Sequence, residues 1–225
     1  MNDLIFPDLP NGSVKAFFTT KRVGVDKNRI CSMLSVETDC LYMPVQKHTD
    51  RIEVLNHEAP PGIADGVVSN RRGVLVGVRV ADCVPVLLFD KDESVIAAVH
   101  AGWRGTAAGI LKKAVSLMVE RFGSSPDNIL VALGPSIGQC CYAVGPEVME
   151  AVIRATGDGD FYSSVEKKYM VDLGRANRIQ ATSTGIPPGN IWLSGECTCC
   201  NPERFYSYRY SKEYDGSQGG FIGIL

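Results

Sequence analysis

Cys83, His100 and His48 are residue types that bind metals or move protons, and a simple count brings the first two together. Val84–Asp90 and Val95–His100 are β-rich runs separated by the polar stretch Lys91-Asp-Glu-Ser94, a pattern that predicts a hairpin. If Asp90 faces Val95, antiparallel counting sets Pro85 opposite His100. Cys83 then lies two residues further on and shares that face, because side chains alternate along a strand. Such diagonal neighbours have Cβ atoms roughly 7–8 Å apart or less, within reach of one ion. A one-residue slip would turn one partner to the opposite face. Each residue also has an ordinary role: Cys83 as a small buried hydrophobe, His100 as a hydrogen-bonded core residue. With His48 as a third partner, one thiolate and two imidazoles make an open zinc site with a fourth position for water or substrate. The net positive charge of that set favours anions nearby.

The segment His100-Ala-Gly-Trp-Arg-Gly-Thr106 leads from a strand into a helix start. Gly102 and Gly105 permit close backbone approach, helix N-terminal N–H groups attract anions, and Arg104 offers a bidentate fork for phosphate. The residues fit neither a Walker loop nor a G-x-G-x-x-G fingerprint. A plain turn with Trp103 packed against the core reads them equally well. Gly134-Pro-Ser-Ile-Gly-Gln-Cys-Cys-Tyr142 is a Gly-rich loop after a strand, where ligand sites often sit. Cys140, Cys141, Cys197, Cys199 and Cys200 suit either a soft thiolate site or reduced thiols beside one pocket. The irregular Cys-x-Cys-Cys spacing favours the thiols.

The elements that must position these groups follow from periodicity. Strands are expected at 14–20, 41–46, 51–55, 74–80, 129–133, 191–194, 205–209 and 221–225, besides the hairpin. Residues 21–40 read as loop or short helix. A helix capped by Thr106 carries Ile110, Leu111, Ala114, Leu117, Met118 and Phe122 at helical spacing and stops at Gly123 and Pro126. Further helices are expected at 147–155, opened by Pro146, and at 174–184, closed by Gly185. The 225 residues, 45% of them hydrophobic, can bury a full core without staples. A net charge of −2 argues against a sequence-independent nucleic-acid binder. No apolar run approaches the ~20 residues of a membrane helix and the start has no signal-like pattern, so a cytoplasmic protein with reduced thiols is expected. Monomer and homodimer remain open.

The motifs Gln46-Lys-His48-Thr-Asp, Ala64-Asp-Gly-Val-Val68, Val80-Ala-Asp-Cys-Val-Pro-Val-Leu-Leu88 and Val99-His-Ala-Gly-Trp-Arg-Gly-Thr106 resemble the motif series of the YfiH-like family. Gly134–Gly145 and Cys197-Thr…Phe205-Tyr-Ser-Tyr-Arg209 continue the series in order. The family has been called laccase-domain or multicopper polyphenol oxidase and, later, zinc-dependent purine nucleoside phosphorylase. The likeness runs from about residue 14 to the end, so residues 1–225 are expected to form one catalytic domain. It implies an α+β fold, a four-layer α/β/β/α sandwich of mixed sheets. It also implies zinc, with copper as the alternative, on His48, Cys83 and His100. The implied reaction cleaves adenosine, inosine, guanosine or methylthioadenosine with phosphate, with adenosine deamination as a companion activity. Phosphate is expected among Arg104, the Gly102–Thr106 backbone, Arg209 and Arg22.

Two departures from the family pattern stand out. Lys21-Arg-Val-Gly-Val-Asp26 replaces a Gly-Gly-Val-Ser stretch, and Tyr210 and Asp215-Gly-Ser217 stand where the family carries additional arginines. Other chemistries use the same residues. Cys83 as nucleophile with His100 as base would make a cysteine hydrolase or amidase, peptidoglycan-precursor editing included. A polyphenol oxidase is the reading of the older family name. A blue-copper site takes two histidines and one cysteine, which leaves one of the chain's three histidines for any further copper cluster. A binding protein without turnover is the third class.

Overall fold

The protein is described by a computed structural model covering residues 3–9, 12–165, 168–213 and 215–225. In chain order, the first strands are β1 (Leu4–Ile5), β2 (Val14–Thr19), β3 (Leu41–Tyr42), β4 (Ile52–Val54), β5 (Gly66–Ser69), β6 (Val74–Val80) and β7 (Val84–Asp90). The rest are β8 (Val95–Ala101), β9 (Ile129–Leu133), β10 (Ala143–Val144), β11 (Tyr162–Val165), β12 (Lys168–Val171), β13 (Ile191–Leu193) and β14 (Gln218–Ile224). The helices are α1 (Lys27–Leu34), α2 (Trp103–Ala107), α3 (Ile110–Phe122), α4 (Pro146–Thr156), α5 (Leu173–Ser183) and α6 (Tyr208–Ser211).

β7 and β8 read as near-continuous apolar runs because both of their faces are covered. They lie at the centre of a six-stranded sheet ordered β13-β9-β7-β8-β5-β4. On one face Val86, Leu88, Val95, Ala97 and Val99 pack against Ile110, Leu111 and Met118 of α3, Met149 and Val152 of α4 and Ala176 of α5. On the other, Leu87, Phe89, Ile96 and Ala98 meet Phe18, Val76, Val78 and Ile222 of a five-stranded sheet ordered β1-β2-β14-β6-β3. The outer face of that second sheet carries Phe17, Leu75 and Phe221, closed by Ile30 and Cys31 of α1. The result is the expected four-layer α/β/β/α sandwich with mixed parallel and antiparallel pairing. A smaller sheet, β10-β12-β11, lies outside it.

The hairpin register agrees with the antiparallel count: Asp90 pairs with Val95, and Pro85 with His100. Other expectations need correction. The helix expected to start at Thr106 is two helices, because Gly109 takes a left-handed φ of 70° between α2 and α3. Thr106 is buried inside α2, where its Oγ1 accepts a hydrogen bond from Asn177. The strand expected at 205–209 does not form, and Ser207 instead caps α6 by accepting the Tyr210 N–H. The 41–46 strand is shortened to β3, whereas β5 and the small sheet had no expected counterpart.

Candidate active site

The site forms where the inter-sheet face of β7 and β8 runs out. His100, in step with Ile96 and Ala98, points toward the second sheet, and Cys83 follows the parity of Leu87 and Phe89. His48 arrives from the loop after β3, with a left-handed φ of 58°. The ligand atoms of His48, Cys83 and His100 all lie within 4.8 Å of one another. The two imidazole rings stand edge to face, 4.8 Å between centroids.

The strained loop at His48 is held by one buried carboxylate. Asp65, at the threshold of β5, is fully buried and accepts hydrogen bonds from the backbone N–H groups of Lys47 (3.2 Å), His48 (3.0 Å) and Thr49 (2.7 Å) and from the Thr49 hydroxyl (2.7 Å). Its Oδ1 also lies 2.8 Å from Nδ1 of His100. An ionised Asp65 fixes the proton on Nδ1 and leaves Nε2 free to face Cys83. Burial would raise the Asp65 pKa, but hydrogen bonds from His100, Thr49 and Lys47 outweigh it and hold the carboxyl well below the usual range. Burial likewise raises the Cys83 thiol, yet the His100 charge and hydrogen bonds from both histidines draw it down. Cys83 and Asp65 in turn lift His100 against its own burial. These neighbours favour the thiolate form of Cys83, which is the form that binds metal, and a metal held there would take the place of any proton on His100 Nε2.

Gly102 completes the geometry. A Cβ there would lie 3.0 Å from Cys83 Sγ, 3.4 Å from His48 Cδ2 and 3.8 Å from His100 Nε2, so any side chain would intrude on the donor set. Gly105 acts on the packing instead. A Cβ there would press on Ile110 and on the His100 carbonyl, so its absence lets α2 lie close to β8. The Thr106 N–H is taken by the Gly102 carbonyl at 2.8 Å. Both glycines thus make room at the start of the five-residue α2.

Two cavities flank the donors. One of about 380 Å³ is lined by His48, Cys83, Trp103, Arg104, Tyr142 and Arg209, among others. The other, about 230 Å³, shares His48, Ala81, Cys83 and Tyr208 and adds Gln46, Arg79, His100 and Ser217. Clefts of about 580 and 600 Å³ elsewhere contain neither histidine nor Cys83. Donor chemistry, not size, selects the site. Arg104 stacks on Trp103, 4.5 Å from its ring centre, and Arg209 lies 5.2 Å from that of Tyr142 and donates to the Ala143 carbonyl. Arg22 does not line the pocket; it is exposed and pairs with Asp3 at 3.6 Å. His57 is exposed beside Asn56.

Asp65 and Asp82 lie within the sequence motifs, yet sequence reasoning assigns neither a role. Asp82 has a left-handed φ of 84°, and its carboxylate accepts from the Thr198 hydroxyl and the Arg209 N–H, both at 2.7 Å. It thereby ties the Cys83 turn to the segment bearing Arg209. An acid set between apolar strand residues was the available signal, since a buried carboxylate must find several donors.

The fold and this site define a laccase-domain protein of the YfiH type. The chain belongs to the multi-copper polyphenol oxidoreductase laccase family, whose pattern it matches over residues 13–225. It is 37% identical over 193 residues to adenosine deaminase RL5 of an unknown prokaryotic organism, covering 80% of this chain and 73% of that protein. It is also 37% identical over 169 residues to purine nucleoside phosphorylase YlmD of Geobacillus stearothermophilus, covering 73% of this chain and 61% of that protein. The crystal structure of YlmD from Geobacillus stearothermophilus superposes with a TM-score of 0.87 at 28% identity, covering 94% of this chain and 92% of that one. Relatives carrying these names support an enzyme acting on purine nucleosides. No helix among the described residues is long and apolar enough to cross a membrane.

Proposed function

We propose that the protein is a zinc-dependent purine nucleoside phosphorylase that cleaves adenosine, inosine, guanosine or methylthioadenosine with phosphate. The observation that carries this reading is the convergence of His48, Cys83 and His100 beside a cavity holding two guanidinium groups. One thiolate and two imidazoles suit zinc with a position left open, and the Asp65–His100 hydrogen bond is the outer support such sites use. Bound there, zinc would supply Lewis-acid polarisation of an oxygen group on phosphate or substrate.

The chain's own residues do the rest. Arg104 and Arg209 supply positive charge to hold the phosphate dianion and keep it oriented toward C1′. A phosphate oxygen bonds to C1′ as the C1′–N9 bond breaks, and the electron pair leaves with the purine, which takes up a proton. Burial, reinforced by the nearby Cys83 charge, pushes the Tyr142 hydroxyl up to about 12, so it remains a phenol at neutral pH and can donate a hydrogen bond to the departing base. Trp103 and Tyr142 give the purine apolar surface. Adenosine deamination would use the same open position with water in place of phosphate, a reading supported by the name of the deaminase relative.

Multicopper oxidation finds less support, because His57 stands outside the cluster and only two imidazoles converge on it. The test is chromatography of products from inosine, adenosine and methylthioadenosine, with and without phosphate, before and after chelation. Base plus sugar phosphate, lost on chelation and restored by zinc, is the expected result. Amide hydrolysis that rises after chelation would overturn it in favour of Cys83 as nucleophile. Binding without product would leave a nucleoside-binding protein.

A further inference from the structure

A second donor cluster lies outside this site. The Sγ atoms of Cys140, Cys141, Cys197 and Cys200 all fall within 4.8 Å of one another. Two loops supply them: the Gly-rich stretch after β9 and the turn after β13. Cys200 lies 3.4 Å from Cys140 and 3.3 Å from Cys141. Sulfurs around a tetrahedral zinc, with Zn–S about 2.3 Å, stand roughly 3.8 Å apart, so this spread brackets a metal-sized centre.

The structure also resolves the irregular spacing. Cys199 is outside the group of four, which leaves Cys197 and Cys200 as a Cys-x-x-Cys pair, the spacing common in structural zinc sites. The Gly138 N–H donates to Cys197 Sγ at 3.2 Å, a bond suited to a ligating thiolate. A Cβ at Gly138 would lie 3.5 Å from Cys140 Sγ and 3.7 Å from Cys197 Sγ, so the backbone folds closely around the cluster. A disulfide accounts for less, because Cys140 and Cys141 compete for the same Cys200 and one bridge leaves the remaining thiols unexplained.

We propose that Cys140, Cys141, Cys197 and Cys200 form a second, closed metal site for a thiophilic divalent cation, zinc above all, which braces one wall of the active-site cavity. Binding exchanges the S–H protons for S–Zn bonds, releases those protons to buffer and moves no electrons between ligands and metal. Two connections lead inward. Thr198, between two of the ligands, donates to Asp82 beside Cys83; Tyr142, next to Cys141, lines the cavity and stacks with Arg209. With the loops pinned together, both residues are held in position.

The experiment counts zinc bound by the reduced full chain in a competition titration. Wild type should bind two equivalents. Cys140→Ser with Cys200→Ser should bind one, and His48→Ala with His100→Ala should also bind one. Cobalt loaded into that histidine variant should show the strong sulfur-to-metal charge transfer of an all-thiolate site. Hydrogen exchange at residues 138–142 and 196–201 should slow at least about tenfold when zinc is added to the same variant. No zinc bound by the histidine variant, two equivalents retained by the cysteine variant, or absent thiolate charge transfer would overturn the proposal. Should the cysteine variant fail to fold, the histidine variant's cobalt spectrum decides alone. Failure here leaves the nucleoside reaction untouched, because the two sites are counted separately.

Discussion

The two donor clusters of this protein are built in opposite ways. His48, Cys83 and His100 sit at the end of a core two sheets thick, with a fully buried carboxylate behind them and cavities on either side. The four cysteines sit on loops, with Cys140 and Cys200 exposed, and form an all-sulfur group whose four ligand atoms would complete a tetrahedral shell. Mixed nitrogen and sulfur ligands with a place to spare suit chemistry, whereas four thiolates suit scaffolding. On this contrast, what stands behind a donor set would matter to its role as much as the ligands themselves.

Mutation can break that contrast, and the largest effect should come from Asp65. Asp65→Ala leaves the buried His100 imidazole and the N–H groups of the His48 loop without their acceptor and should cost about 3–5 kcal/mol in urea unfolding, as removal of a buried charged partner does. Cys141→Ser in the metal-free protein should cost less than about 1 kcal/mol; equal losses would erase the distinction. The milder Asp65→Asn should weaken zinc at the histidine site about 10–100-fold in a competition titration while leaving the cysteine site unchanged. Gly102→Ala should weaken that zinc by about tenfold (about 1.4 kcal/mol) with a nearly unaltered urea midpoint, since the intruding methyl meets the ligands rather than straining the backbone. Arg104→Ala or Arg209→Ala should raise the KM for phosphate about tenfold and leave the zinc count alone.

The smallest effect is on pH dependence. Because Asp65 has a folded pKa below its unfolded value of about 3.9, its stabilising contribution is complete above that value and is lost as pH falls toward the folded pKa. Urea midpoints of the metal-free wild type should therefore drop below about pH 4, and Asp65→Asn should flatten that limb.

Much of this was legible in the sequence because alternation in two adjacent apolar strands has few solutions. The polar loop Lys91–Ser94 fixed the hairpin, and the hairpin brought Cys83 and His100 to one face. The four layers and the identity of His48 as third donor came from the family resemblance. What periodicity could not supply depends on long-range contacts. Asp65 looks like any strand-flanking acid until the His48 loop folds over it. The aromatic run at 205–209 carries strand composition, but the Arg209 N–H is taken by Asp82 and Ser207 caps a helical turn instead. The cysteines read as reduced thiols because Cys197-Thr-Cys-Cys200 is irregularly spaced, and only the fold, through the turn at Gly138, brings Cys140 and Cys141 beside Cys197 and Cys200.

The central claim is that His48, Cys83 and His100 hold one zinc ion with a face left for substrate. It is tested most directly by X-ray absorption at the zinc edge on Cys140→Ser/Cys200→Ser protein loaded with one equivalent. The account predicts one sulfur and two imidazole nitrogens from the chain, and a spectrum that changes when phosphate or inosine is added. A shell lacking sulfur, or one that substrate and phosphate leave unaltered, would contradict it.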